Sequence, residues 1–117
     1  MDAKNWITVM DEGDVAGTDP GEVVAFDIEL DSGETLAVGL VCEPNEDSGW
    51  MAFENICSHD GEGMEEGEVN LRDCTIECPR HGAKFDVKTG EVLGMPAVTN
   101  IRTFDIRILD GMIQLFL

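Results

Sequence analysis

Four residues in the middle of the chain restrict its possible folds more than any other feature. Cys57 and His59 stand in Cys-Ser-His, Cys78 and His81 stand in Cys-Pro-Arg-His, and eighteen residues separate His59 from Cys78. Each pair is short enough to lie on one tight loop, so two loops can meet around one metal centre. The chain has only two histidines, and both belong to this pattern.

The order of these residues distinguishes between kinds of metal site. Two thiolates and two imidazoles are the ligands of a [2Fe–2S] cluster in which two histidines replace two cysteines on one iron. Zinc is the alternative, but its common spacing places two Cys together and two His together. A disulfide framework is a further alternative, because four cysteines allow three pairings, although the N-terminal residues carry no secretory signal. The mixed order favours the cluster.

The residues around the four ligands resemble the cluster loops of small Rieske-type ferredoxins, which serve bacterial aromatic-ring-hydroxylating dioxygenases. The resemblance continues into a segment that is similar to the family's third, proline-bearing loop over the cluster. It is carried by Cys57–Gly61, Cys78–Ala83, Lys84–Gly90 and Gly94–Ala97. It implies one [2Fe–2S] cluster, with Cys57 and Cys78 on the buried iron and His59 and His81 on the outer iron.

The resemblance also implies a function and its partners. The expected protein is a cytoplasmic, monomeric one-electron carrier in aromatic hydrocarbon catabolism. It passes electrons from an NAD(P)H-dependent flavin reductase to a terminal Rieske non-haem iron oxygenase. The alternative is a small Rieske-like subunit of a larger oxidoreductase such as assimilatory nitrite reductase.

Two absences from the sequence argue that the chain is not itself an enzyme. No histidine remains for a 2-His-1-carboxylate iron site. No G-x-G-x-x-G follows a predicted strand, so a dinucleotide site is not expected. The chain is therefore expected neither to activate O2 nor to oxidise NAD(P)H.

Four further positions bear on the reduction potential that the resemblance implies. High-potential Rieske proteins have a Ser and a Tyr that donate hydrogen bonds to the cluster, and this chain has Ala83 and Phe85 at the matching positions. Those proteins also join the two loops by a disulfide, where this chain has Glu62 and Arg80. A low potential and a reducing compartment are expected.

The chain is strongly acidic, with a formal net charge of −18 at pH 7. Such a charge repels nucleic acid and anionic membranes, so neither is an expected partner. The charge is uneven, because residues 1–71 hold 19 acidic residues and one basic residue, whereas residues 72–117 hold six of each. Either electrostatic steering toward basic partners or a solubility or salt-tolerance role accounts for this acidity.

Short apolar runs between turn signals predict an all-β fold, either a small antiparallel barrel or a sandwich. The resemblance makes this a Rieske fold. We expect one domain over residues 1–117, with a cluster-binding subdomain inserted at about 55–97. The predicted strands are Trp6–Met10, Glu22–Leu30, Glu34–Val41, Trp50–Glu54, Thr75–Ile76, Lys84–Val87, Glu91–Leu93, Ile101–Leu109 and Met112–Leu117, and Asp11–Pro20 is expected to be an exposed connection.

The remaining two cysteines are expected to be buried small apolar residues rather than metal ligands. Cys74 alternates with Ile76 and Cys78, so it is predicted to face inward with them. Cys42 ends the apolar run Leu36–Val41.

Overall fold

The computed structural model describes residues 5–57, 61–80, 82–95 and 99–117, and in these residues the fold is almost entirely β-structure. One short 3-10 helix, Glu12–Val15, follows the first strand. The strands are β1 Trp6–Asp11, β2 Val23–Glu29, β3 Thr35–Cys42, β4 Trp50–Glu54, β5 Glu68–Asn70, β6 Thr75–Glu77, β7 Lys84–Asp86, β8 Val92–Gly94, β9 Thr103–Phe104, β10 Ile106–Leu109 and β11 Met112–Phe116. No helix in this part of the chain is long and apolar enough to cross a membrane.

The strands form three sheets, and every pairing within them is antiparallel. One sheet has the order β1-β11-β10, a second has the order β2-β3-β4-β9, and a third has the order β5-β6-β7-β8. The third sheet lies between β4 and β9 in sequence, and we call it the cluster sheet. The other two sheets form the base. The prediction of an all-β fold is confirmed.

The buried side chains form two separate cores. One core belongs to the base and includes Leu40, Ala52 and Ile113. The other joins the base to the cluster sheet, because Phe53 of β4 lies in the same cluster of side chains as Phe85 of β7. The alternation of β3 explains this arrangement, since Leu40 and Val41 point to opposite faces and enter different cores.

The structure differs from the strand predictions at three places. Asp11–Pro20 contains the 3-10 helix, and its Val15 is buried in the base core, so the segment is not wholly exposed. The strand β5 was not predicted, because Glu68–Asn70 is short and polar. The predicted strand Ile101–Leu109 is divided, since β9 pairs with β4 whereas β10 pairs with β11.

Candidate metal centre

Cys57 and Cys78 each open a loop with the same backbone hydrogen bonds. In the first loop the Cys57 N–H donates to the Glu62 carbonyl at 2.7 Å, and the Gly61 N–H donates to the Cys57 carbonyl at 2.7 Å. In the second, Cys78 N–H donates to the Ala83 carbonyl at 2.7 Å and Gly82 N–H to the Cys78 carbonyl at 3.0 Å. The chain therefore builds the same turn twice, beginning at each cysteine.

A glycine four residues after each cysteine makes this turn possible. Gly61 has a φ of 75° and Gly82 a φ of 77°, and residues with a Cβ atom adopt this left-handed conformation at an energetic cost. No atom of the described residues lies within 4 Å of where a Cβ would stand at either position, so backbone conformation accounts for these two glycines.

Both cysteine side chains are buried in the core that joins the base to the cluster sheet. Cys57 and Cys78 are 0% and 1% exposed, and their neighbours in that core include Met64, Ile76 and Phe85. None of the four cysteines, all of which lie within the described residues, is in a disulfide. Iron–sulfur clusters are held by Cys thiolates, and an apolar shell limits solvent access to them, so this pair fits the buried end of such a cluster.

The two predicted histidine ligands, His59 and His81, lie outside the described residues, as does part of the predicted third loop at 96–98. The described portion of that loop is strongly exposed at Met95, whose side chain is 81% accessible. The predicted set of four ligands is therefore described only at its two cysteines.

Sequence reasoning missed a polar cluster behind the first loop. The Asn55 side chain is buried at 6% exposure. Its Oδ1 accepts a 2.7 Å hydrogen bond from the Met64 N–H, and its Nδ2 donates a 2.8 Å bond to the Glu65 carboxylate. The hydrogen bond from Asn55 holds the pKa of Glu65 below its usual value, and the positive charge of Arg80 acts in the same direction. No spacing rule in the sequence identifies this contact.

A family model for the Rieske [2Fe–2S] domain matches residues 5–105. The chain belongs to the Rieske [2Fe–2S] domain family. A cofactor of one Rieske-type [2Fe–2S] cluster follows from this membership, and the two buried cysteines have the chemistry that the cluster requires.

Individual relatives of this Rieske domain are ferredoxins. The ferredoxin component of the naphthalene 1,2-dioxygenase system of Pseudomonas putida is 40% identical over 57 residues, which cover 49% of this chain and 53% of that protein. The 3-phenylpropionate/cinnamic acid dioxygenase ferredoxin subunit of Escherichia coli (strain K12) is 37% identical over 62 residues, covering 53% of this chain and 58% of the relative. This chain is thus matched to little more than half the length of these curated relatives.

A solved structure extends the similarity to almost the whole Rieske domain. The ferredoxin of carbazole 1,9a-dioxygenase from Nocardioides aromaticivorans IC177 is 27% identical and superposes with a TM-score of 0.74. The superposition covers 95% of this chain and 96% of that ferredoxin.

The two positions expected to affect the potential both lie beside the cysteines. Ala83 and Phe85 are fully buried, and they share a core with Cys57 and Cys78. Neither side chain carries a hydrogen-bond donor, so neither supplies the hydroxyl that high-potential Rieske proteins have there. Glu62 and Arg80, which occupy the disulfide positions of those proteins, are exposed.

The other two cysteines of the Rieske domain lie apart from these loops, and both are only half-buried. Cys74 packs against the core that contains Ile76, as the alternation predicted, but it adopts a φ of 57° in the turn before β6. Cys42 packs against the base core. Burial raises the pKa of both thiols.

Proposed function

We propose that this Rieske domain is a one-electron carrier whose cluster is held by Cys57, His59, Cys78 and His81. The main support for the proposal is the repeated turn, which begins at each of two buried cysteines. A bound [2Fe–2S] cluster supplies reversible uptake of one electron. The chain supplies the two loops and the apolar core that excludes water from their cysteines.

The proposed partners are a flavin-containing reductase as the electron donor and a terminal oxygenase as the acceptor. Both curated relatives are named as ferredoxin parts of dioxygenase systems, which favours this assignment over a fixed subunit of a nitrite reductase. The carrier is proposed to be a monomer. It is proposed to act in the cytoplasm, since Glu62 and Arg80 occupy the positions at which high-potential Rieske proteins have a loop disulfide.

We also propose that residues 1–117 form one domain in which residues of about 55–97 are an inserted cluster-binding subdomain. The two ends of the insertion are joined where it leaves the base. Glu54 N–H donates to the Arg102 carbonyl at 2.8 Å, and the Arg102 guanidinium lies 3.0 Å from the Glu54 carboxylate. A second ion pair, at 3.0 Å, joins Lys88 in the connection between β7 and β8 to Glu46 in the connection between β3 and β4.

The function is tested by reducing the purified protein and following the electron. We expect the dithionite-reduced protein to give the EPR signal of mixed His/Cys ligation. It should then pass one electron per cluster to the terminal oxygenase of its own system. A signal of all-Cys ligation would contradict the histidine assignment. Co-purification in fixed stoichiometry with a larger oxidoreductase would instead favour the subunit alternative.

We expect Ala83→Ser and Phe85→Tyr each to raise the reduction potential. Each adds a hydroxyl donor beside a cysteine, where negative charge increases on reduction. If the donor stabilises the reduced state by about 1 kcal/mol more than the oxidised state, the one-electron shift is about 40 mV. The starting value should lie at the low end of the Rieske range, roughly −150 mV.

The matched control for these variants is Val87→Thr, which replaces a methyl group by a hydroxyl in the same core at nearly the same side-chain shape. Potentials are measured by redox titration of the visible spectrum. A rise in the control equal to the rise in Ala83→Ser would mean that general polarity, rather than a donor at that position, sets the potential.

Electrostatic steering predicts that reduction by the flavin reductase slows as salt is added, because exposed charges are screened over about 10 Å at 0.1 M ionic strength. Glu62→Gln with Glu66→Gln removes two exposed charges after the first loop. We expect this pair to lower the second-order rate more than Asp27→Asn with Glu29→Gln on β2, whose neighbours Phe26 and Ile28 pack on the base core. Stopped-flow rates that are flat with salt would favour the solubility or salt-tolerance role.

A further inference from the structure

Hydrogen bonds of the Asn55 side chain join the two ends of the segment that carries the first pair of predicted ligands. Asn55 precedes Cys57 by two residues, and its own N–H is fixed on β3 by a 2.9 Å bond to the Ala37 carbonyl. Its amide then reaches across to Met64 and Glu65, at 2.7 and 2.8 Å. The contacts thus join the start of residues 55–65 to their end.

Gly63 provides the space in which the Glu65 carboxylate lies. A Cβ added at Gly63 would collide with Glu65 Oε2 and approach Asn55 Nδ2 to 3.2 Å. The position has no positive φ, so crowding rather than backbone conformation opposes a larger residue, which would have to displace the carboxylate end of the Glu65 side chain. Asn55, Gly63 and Glu65 therefore form one fitted unit, which we call the loop clamp.

The two hydrogen bonds of the loop clamp require an acceptor at one end of the Asn55 amide and a donor at the other. The Asn55 amide uses both of its ends, because its oxygen accepts from a backbone N–H and its nitrogen donates to a carboxylate. A bond to an ionised acceptor is roughly twice as strong as one between neutral groups. Losing the acceptor Oδ1 would leave the buried Met64 N–H without this partner, which is costly inside a protein.

We propose that Asn55 and Glu65 are positioning residues that hold the first cluster loop closed, with Gly63 leaving room for the Glu65 carboxylate. This inference rests on the proposed cluster function, since it assigns the clamp to the loop of Cys57 and His59. By holding the two ends of the first cluster loop together, the clamp slows loss of iron from the site. Arg80 of that second loop contributes a favourable charge to Glu65.

The sharpest test exchanges donor and acceptor within the clamp. Asn55→Asp keeps an oxygen for the Met64 N–H but places a second carboxylate against Glu65. We expect iron release to a chelator to accelerate about tenfold or more, since a bond to a charged group is lost and repulsion replaces it. Adding Glu65→Gln to Asn55→Asp restores a donor–acceptor pair in the opposite order, and should return the rate to within about twofold of the original protein.

Glu66→Gln is the matched control, because Glu66 is the exposed neighbour of Glu65 in sequence, and its rate should not change. If Asn55→Asp does not fold, Glu65→Ala and Gly63→Ala are measured instead. Glu65→Ala removes the carboxylate, and Gly63→Ala displaces it. Both should speed iron release relative to Glu66→Gln. Release that is unchanged in the clamp variants, or no rescue by the double substitution, would overturn the clamp.

Hydrogen exchange separates failure of the clamp from failure of the proposed function. Exchange of residues 61–67 should speed up in Asn55→Asp whether or not a cluster is bound, because the bond from the Asn55 amide to the Glu65 carboxylate, which this change replaces by repulsion, involves none of the predicted ligands. A protein that lacks the mixed-ligand EPR signal would refute the cluster assignment. A protein with that signal but with unchanged exchange in Asn55→Asp would refute the clamp alone.

Discussion

Cys57→Ser and Cys78→Ser are each expected to yield protein with essentially no iron and no acid-labile sulfide. Each cysteine begins one of the two matching turns, and each is completely or almost completely buried. A serine hydroxyl is a far poorer iron ligand than a thiolate. His59→Ala and His81→Ala should likewise remove the cluster or replace its EPR spectrum. Iron and sulfide analysis with EPR of the reduced protein provides the measurement.

Cys42→Ser and Cys74→Ser are the matched controls for this loss. Both residues are half-buried thiols outside the two loops, and both have raised pKa values. Their iron content and spectrum should equal those of the original protein. A cluster lost in either control, or retained in Cys57→Ser, would contradict the ligand assignment.

Gly90→Ala is expected to destabilise the fold strongly. Gly90 has a φ of 79°, and a Cβ there would collide with the Ile101 carbonyl oxygen, which belongs to the chain returning to the base. The collision is with backbone, so rotation of a side chain cannot relieve it. The change would also disturb two hydrogen bonds, from Gly90 N–H to the Asp86 carbonyl at 2.7 Å and from Ile101 N–H to the Gly90 carbonyl at 2.9 Å.

Gly111→Ala separates the collision from backbone strain. Gly111 has nearly the same φ, 78°, but no atom of the described part of the chain lies within 4 Å of where its Cβ would stand. Both variants share the left-handed cost of about 1–2 kcal/mol, and overpacking adds about 1–3 kcal/mol at Gly90 alone. Gly90→Ala should therefore unfold on the order of 10 °C below Gly111→Ala in thermal scans followed by circular dichroism. Equal thermal unfolding midpoints would show that the backbone at Ile101 shifts without a loss of stability.

The sequence predicts best what is encoded by neighbouring residues. Short apolar runs between turn signals located β2, β3, β4 and the last hairpin closely, because these signals act within a few residues. The turns that begin at Cys57 and Cys78 were also predictable, since each cysteine stands within three residues of a histidine.

Features that depend on tertiary contacts were not predictable. The run Ile101–Leu109 reads as one strand, but its two halves pair with β4 and with β11 on either side of Asp105. The contact of Asn55 with Glu65 spans ten residues and involves an ordinary amide and an ordinary carboxylate. Polar residues carry no periodicity that marks such a pairing, so the structure was needed to find it.

Contacts made by the basic side chains within the fold limit how the surface of this Rieske domain can change. Lys84, Lys88 and Arg102 each lie within 4.0 Å of a carboxylate, and Arg107 lies 4.3 Å from the Trp6 ring centroid. Substituting one of these cations therefore removes a contact within the fold along with a charge. Many acidic side chains, such as Asp27 and Glu29, project from exposed strand positions. Divergence in partner preference should therefore accumulate among the acidic residues, while these four basic positions change slowly.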